Sequence, residues 1–311
     1  MNASGQKVRF ATTIANRMPA NPKGQSKNGK ALQIAAKALS KGAPRETKSR
    51  KTLPDSDAVA WAAHRLHHAI FAVRGSLGES AAEILDDAVD LLHPEIVSAF
   101  QGSGSSERAA RSLANRCLLA LVRALPKIQR VLLTDLNGAF ERDPAAKNLT
   151  EIILCYPGIR ALCIHRIAHE LNLLNVPLIP RMLAESAHDS TGIDIHPGAK
   201  IGPGFFIDHG TSVVIGETAV IGRNCTLYQG VTLGARRFDR DTNGSIRRGS
   251  KRHPTLKDNV TVYANATILG GATIIGKGSV IAAGVLVQES VPAFSTVKPG
   301  KIELTVAPSR K

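Results

Sequence analysis

Residues 194–221 read Asp194-Ile195-His196-Pro197-Gly198-Ala199-Lys200-Ile201-Gly202-Pro203-Gly204-Phe205-Phe206-Ile207-Asp208-His209-Gly210-Thr211-Ser212-Val213-Val214-Ile215-Gly216-Glu217-Thr218-Ala219-Val220-Ile221. An aliphatic residue returns about every six positions, often followed by glycine. Indexed by that position, the series is Ile195, Ile201, Ile207, then Ile215, Ile221, Leu227, Leu233, then Leu256, Val262, Ile268, then Ile275, Ile281, Val287. Four residues after most of these comes a second small or apolar residue: Ala199, Phe205, Thr211, Ala219, Cys225, Val231, Val260, Ala266, Ala272, Ser279 and Val285. A helix cannot give a period of six, and strand alternation would not favour six over two. Three short strands per turn of a prism, with an aliphatic wedge on each strand and glycine at tight corners, do give it. The spacing predicts a left-handed parallel β-helix over residues 193–291. Its crossovers are an exception to the usual right-handed rule.

The period fails in three places. Ile207 to Ile215 is eight residues, so two are inserted beside Asp208-His209. Ile268 to Ile275 is seven. Leu233 and Leu256 are separated by a stretch rich in arginine that includes Arg236, Arg237, Arg240, Arg247, Arg248, Lys251 and Arg252. This predicts a loop protruding over 235–252. A loop pushed out of a prism has no packing reason to exist, and long loops in compact folds are often functional.

Outward from the repeat, residues 55–192 read as an all-helical domain. Asp57 is placed to cap a first helix carrying Ala60, Trp61, His64, Leu66, His67, Ile70 and Val73, with Gly75 as its stop. A second helix runs from Glu79 to Phe100. Ser105 or Ser106 caps a third, which Pro126 breaks or kinks. Glu141-Arg142-Asp143-Pro144-Ala145 reads as a turn into a helix start. Ile152 to Leu174 is helical with an interruption at Pro157-Gly158, and Pro177 and Pro180 precede a short helix to His188. His64, His67 and His68 share a helical face with no fourth ligand in sight, so they read as interface histidines rather than a metal patch.

The net charge of +15 is uneven: residues 1–54 hold twelve Lys/Arg against Glu46 alone. They read as a disordered basic leader, a solvated tail with weak polyanion affinity. It lacks the apolar core of a secretory signal, and its shortage of acid partly resembles an organelle transit peptide. No apolar run approaches the ~18 residues of a spanning helix, so a soluble, cytoplasmic protein is expected, with organelle targeting as the lesser alternative and no specific nucleic-acid partner. The four cysteines (Cys117, Cys155, Cys163, Cys225) show no metal or CxxC spacing and read as free buried thiols. Residues 292–311 read as a tail.

Five tags, in this order on a helical-then-hexapeptide chain, are specific together. They are Arg142-Asp143-Pro144-Ala145, Asp194-Ile195-His196-Pro197, Ile207-Asp208-His209, Gly216-Glu217-Thr218-Ala219-Val220 and Arg252-His253-Pro254. From about Ser56 to Val291 the chain resembles the serine O-acetyltransferases, in the branch with a long basic loop before Arg-His-Pro. The resemblance implies acetyl transfer from acetyl-CoA, a co-substrate, to L-serine in cysteine biosynthesis, with no tightly bound cofactor. It implies a homotrimer with acyl-CoA in the groove between neighbouring prisms, and the helices offer a surface for a dimer of trimers.

Acetyl transfer to a hydroxyl needs a base, and imidazole is the usual one near neutral pH. His209, at a register break, is the expected base. The family implies that Asp194 orients it, and less than one coil of chain separates the two. Serine is a zwitterion, so its ammonium wants carboxylates and its carboxylate a planar cation. The resemblance assigns the ammonium to Asp143 and Asp208, the carboxylate to Arg252 and the hydroxyl to His253. It places oxyanion donors near Gly234 and Ala264, although Ala235 follows Gly234 where relatives often have a second glycine. Arg247 and Arg248 are candidates for the CoA phosphates, whereas His196 reads as structural.

Competing readings use the same residues. An acetyltransferase for a sugar would have no use for an ammonium site beside a carboxylate clamp. A zinc site through His196, His209 and His253 would resemble a carbonic anhydrase class on this fold, but no histidine pair in the prism has its five-residue spacing. A scaffold for the partner sulfhydrylase would use a C-terminal isoleucine as an apolar plug. This sequence ends Ser309-Arg310-Lys311, which suits that plug poorly, so no stable cysteine synthase complex is expected.

Overall fold

The computed structural model describes residues 53–72, 78–238 and 240–300. Residues 1–52 of the basic leader, Val73, Gly75 and the terminal Arg310-Lys311 lie outside them.

Among the described residues six helices come first: α1 (Ser56–Ile70), α2 (Ala81–Gly102), α3 (Glu107–Arg142), α4 (Leu149–Cys155), α5 (Pro157–Leu173) and α6 (Ile179–Thr191). The cap of α1 is Asp55, whose side chain accepts from the amides of Asp57 and Ala58, rather than Asp57 itself. A capping box between Ser80 and Glu83 starts α2, and Ser106 caps α3. Pro126 does not break α3, which runs on to Arg142. Proline removes one amide and crowds the preceding turn, yet Leu121, Leu125, Ile128 and Leu132 form a continuous buried stripe across it. At about 1.5–3 kcal/mol per fully buried side chain, that packing outweighs the break. Glu141 and Arg142 are accordingly the last turn of α3, and Asp143 is its C-cap rather than the opening of the next helix.

The chain then enters the prism, which has three parallel faces. The first stacks β1 (Ile193–Ile195), β4 (Val213–Ile215), β7 (Thr232–Gly234), β10 (Thr267–Leu269) and β13 (Leu286–Val287). The second stacks β2 (Lys200–Ile201), β5 (Val220–Ile221), β8 (Thr255–Leu256) and β11 (Ile274–Ile275). The third stacks β3 (Phe206–Ile207), β6 (Thr226–Leu227), β9 (Thr261–Val262), β12 (Val280–Ile281) and β14 (Thr296–Val297). The solenoid is a left-handed parallel β-helix. Because β14 pairs with β12, it continues past residue 291 into the stretch read as tail.

Every indexed aliphatic position is buried except Ile201, which is half-buried. In the second series Val285 is half-buried and two positions are exposed, both where the period slips. The extra residues after Ile207 push Thr211 to the surface, and Val213 takes the inner place. The extra residue after Ile268 does the same to Ala272, and Thr273 goes inside. Of the cysteines, Cys117, Cys163 and Cys225 are buried, but Cys155, at the end of α4, is exposed.

Two arginines fasten the helices to the first coils. Arg166 on α5 makes a bidentate pair with the fully buried Asp135 of α3 and donates also to the carbonyls of Ile201 and Gly202. Asp135 in turn accepts from the Phe205 amide. Burial pushes the Asp135 carboxyl up, to about 6, against the pull of Arg166 and that amide. Arg142 donates to the carbonyls of Gly204, Asn224 and Cys225 and to Thr226 Oγ1. The arginine of the Arg142-Asp143 tag therefore holds coil corners.

Candidate active site

The corner between the third and first faces is the one with extra residues, 208–212. Regular corners place asparagine in the left-handed region, as at Asn224 (φ 53°) and Asn265 (φ 60°). Here His209 (φ 57°), Gly210 (φ 85°) and Ser212 (φ 61°) all lie at positive φ, and for His209 this is a conformation that favours Gly, Asn and Asp and that clusters at functional sites. Its imidazole is exposed, with Nε2 3.8 Å from the mostly buried Asp208 carboxylate.

A helix terminus is pressed onto this corner. At Gly158, in the first turn of α5, a Cβ would stand 2.4 Å from the Ile207 carbonyl oxygen. Only glycine permits that approach, and it brings Tyr156 and the end of α3 over the corner. Tyr156 Oη donates to Asp143 Oδ2 at 2.5 Å, and Ala145 N donates to Oδ1 at 2.8 Å. The bond to Asp143 pushes the Tyr156 phenol up to about 12, and the charge of Asp208 adds to the shift. The same two carboxylates act on Tyr228, whose ring stacks on Tyr263 at 5.0 Å on the next coils of this edge. Asp143, Asp208, His209, Tyr156 and Tyr228 thus form one group, and each carboxylate keeps lone pairs for an incoming cation.

The corner between the first and second faces carries a second group. Thr218 Oγ1 accepts from the amides of Arg252 and His253, 2.9 and 3.0 Å away, tying the end of the protruding loop to the coil below. His253 Nδ1 accepts from Thr218 N at 3.0 Å and lies 2.9 Å from Thr218 Oγ1, whose proton is free to point at it. With Nδ1 an acceptor, the neutral ring carries its proton on Nε2. Burial, followed by the charge of Arg252, pushes His253 down to about 4, so at neutral pH it is a donor rather than an acid-loaded base. The Arg252 guanidinium is engaged by Glu217. Burial raises the Glu217 carboxyl, but Arg252, His196 and His253 together bring it below its ordinary value. His196 Nδ1 accepts from Gly198 N at 3.0 Å, which fixes its ring locally.

Glu217, Arg252, His196, Arg247 and Arg248 line a concavity of about 430 Å³ with Phe238 and Ile246. The loop above it is a small hairpin, with Arg240 bridged to Ile246 and Asp241 accepting from Asn243 N and Ser245 N.

The two groups do not meet within one chain. His209 precedes β4 and the His253 ring packs at Gly216, just after it, and a three-residue strand spans about 10 Å. Asp194 sits mid-face on β1, paired in register with Val214 and half-buried. It acts electrostatically on His196, and among the described residues it makes no hydrogen bond to His209. Gly234 ends β7 at the His253 edge, while Ala264 lies at the His209 edge, its carbonyl accepting from Gly284 N. Tyr156, Glu217 and Thr218 were not singled out from sequence. Glu217 and Thr218 stand inside a quoted tag, and Tyr156 directly precedes Pro157-Gly158. Among the described residues no three His, Cys, Asp or Glu side chains gather as a metal site requires, and no helix is long and apolar enough to cross a membrane.

No family model matches the sequence. Relatives do. A serine acetyltransferase of Bacillus subtilis is 46% identical over 175 residues, 56% of this chain and 76% of that protein. A plasmid-encoded serine acetyltransferase of Synechococcus elongatus is 43% identical over 187 residues, 58% of this chain and 59% of that protein. The match to that Synechococcus protein and to a second one from the same organism spans little more than half of their length. Among solved structures, Entamoeba histolytica serine acetyltransferase 1 in complex with L-cysteine is 35% identical with a TM-score of 0.68, covering 86% of this chain and 96% of that one. Neisseria gonorrhoeae serine acetyltransferase in complex with serine is 29% identical with a TM-score of 0.52, covering 77% and 95%.

Proposed function

Since the chain belongs to the serine acetyltransferase family, we propose that it transfers the acetyl group of acetyl-CoA to the hydroxyl of L-serine, giving O-acetylserine for cysteine synthesis. The observation that carries this reading is Asp208 beside the exposed His209, with Asp143 held at the same corner by Tyr156, on which both carboxylates act. Two carboxylates next to an exposed imidazole suit a substrate that is both an ammonium and a hydroxyl. A relative in complex with serine supports the same acceptor.

In this reading His209 takes the serine hydroxyl proton as the oxygen attacks the thioester carbonyl. Asp194, which makes no bond to His209 within one chain, meets it across the junction between neighbouring chains and stabilises the imidazolium that forms. The tetrahedral oxyanion is held by backbone amides near Gly234 and Ala264. It collapses with cleavage of the C–S bond, and His209 returns the proton to the departing thiolate, so no acyl-enzyme forms. Arg252 reaches the serine carboxylate, exchanging its bond to Glu217 for the substrate, and His253 Nε2–H steadies the hydroxyl. Arg247 and Arg248 meet the CoA phosphates. Acetyl-CoA is a co-substrate, and no tightly bound cofactor is required.

Because the His209 group and the His253 group lie at opposite ends of one face, the complete site forms where one prism meets a neighbour. A three-fold assembly with heterologous contacts provides three such junctions. The test is release of free CoA with L-serine against a galactoside, using wild type and His209→Ala. Turnover with serine alone and loss in the variant are expected. Equal turnover of the galactoside, or full activity in the variant, overturns the assignment.

A further inference from the structure

Away from both groups, α3, α5 and the first coil enclose a cleft of about 380 Å³. That volume falls in the range of small-molecule sites. Its floor is His165, 3% exposed, whose Nδ1 has no hydrogen-bond partner. A buried imidazole nitrogen left unpaired costs free energy. Next to it His169 donates from Nδ1 to the Pro197 carbonyl at 2.7 Å, which leaves its Nε2 free for a visitor. The rings are 5.7 Å apart.

The walls divide by chemistry. Val131, Leu173 and Ile201 give an apolar side. The mouth carries Lys127 from α3, Lys200 from β2 and Glu170 from α5, none of them in an ion pair among the described residues. Arg166 also borders the cleft, but Asp135 neutralises it. The charge left over is one cation in excess. None of these residues belongs to either group at the prism corners.

We propose that this cleft binds a small organic carboxylate with an apolar body, its head between Lys127 and Lys200 and its body against Val131 and Leu173. The test uses the full chain and 3-phenylpropionate as the probe, titrated by calorimetry and by saturation-transfer NMR, with 3-phenylpropylamine as the cationic isostere. The carboxylate binds at least ten times more tightly than the amine, and Lys127→Glu with Lys200→Glu weakens it at least tenfold while acetyl transfer persists. The readout is binding alone, so it does not depend on the reaction proposed above. No saturable binding of the carboxylate, equal affinity for the amine, or undiminished affinity in the charge-reversed protein overturns the proposal.

Discussion

The His253 ring packs directly on the Gly216 backbone: a Cβ at Gly216 would stand 2.1 Å from its Cδ2 and 2.2 Å from its Nε2. The atom in the way is on a ring anchored at Nδ1 by Thr218, so it cannot swing aside without losing both bonds. Gly216→Ala therefore displaces the proposed hydroxyl donor while leaving the prism wall, built by Ile215 and Ala219, intact. The expected result is a fall of about 100-fold in kcat, the scale of one lost preorganised donor, with an unchanged circular dichroism spectrum. Steady-state kinetics check it, and kcat within twofold of wild type would show that His253 is not used this way.

Tyr156→Phe removes the hydroxyl that holds Asp143 Oδ2. A hydrogen bond to a charged group is worth roughly 1.5–3 kcal/mol, and the Ala145 amide still holds Oδ1. The serine KM is expected to rise about tenfold, from the low end of that range, with the KM for acetyl-CoA unchanged. An equal rise in both would place Tyr156 in general packing.

The histidines of α1 predict a pH effect. His67 is buried, its ring 5.1 Å from Phe71, and burial, then the charges of His68, Arg160 and His64, push it down to about 4. Unfolded, it titrates near 6.5. The fold thus favours the neutral ring: the stabilisation is complete above pH 6.5, declines as pH falls from 6.5 through 4, and is gone below. His67→Phe also removes the unpartnered Nε2. Thermal melts from pH 7 to 4 should decline less steeply for the variant, and parallel curves would exclude the histidine.

How much was legible follows from what each residue's signal depends on. The wedges were legible because burial in a prism repeats in sequence, so Ile215, Leu233 and Ile268 announce themselves. Thr211 and Ala272 were misplaced because four-residue counting assumes the corner is regular, and both sit where it is not. Pro126 misled because local sterics were read without the buried stripe on either side. His209, Asp208, Arg252 and His253 stood out at failures of the period. Glu217, Thr218 and Tyr156 did not, since their roles come from contacts across 35, 34 and 13 residues, which no local pattern encodes.

Arg166→Met tests the fastening between helices and prism. It leaves Asp135 buried without its partner, which costs about 3–5 kcal/mol, or a Tm lowered by roughly 6–20 °C at 2–4 °C per kcal/mol. Adding Asp135→Leu recovers part of the loss, because the stranded charge is gone. It does not recover all of it, because Phe205 N loses its acceptor. Scanning calorimetry of the single and double variants checks both statements. A single variant as stable as wild type would mean the pair does not hold the units together.

The separation of His209 from His253 along one face gives the sharpest test of the assembled site. If each site takes His209 from one chain and His253 from a neighbour, His209→Ala and His253→Ala are each inactive alone but complementary. In a three-fold ring that contains both variants, one junction joins an intact His209 to an intact His253. Random mixing in equal amounts puts both variants in about three quarters of the rings, so about one quarter of all sites are restored. Co-expression with two affinity tags, followed by a CoA-release assay, reads this directly. A site contained in one chain gives no recovery at all, and activity near the one-quarter mark requires that neighbouring chains share it.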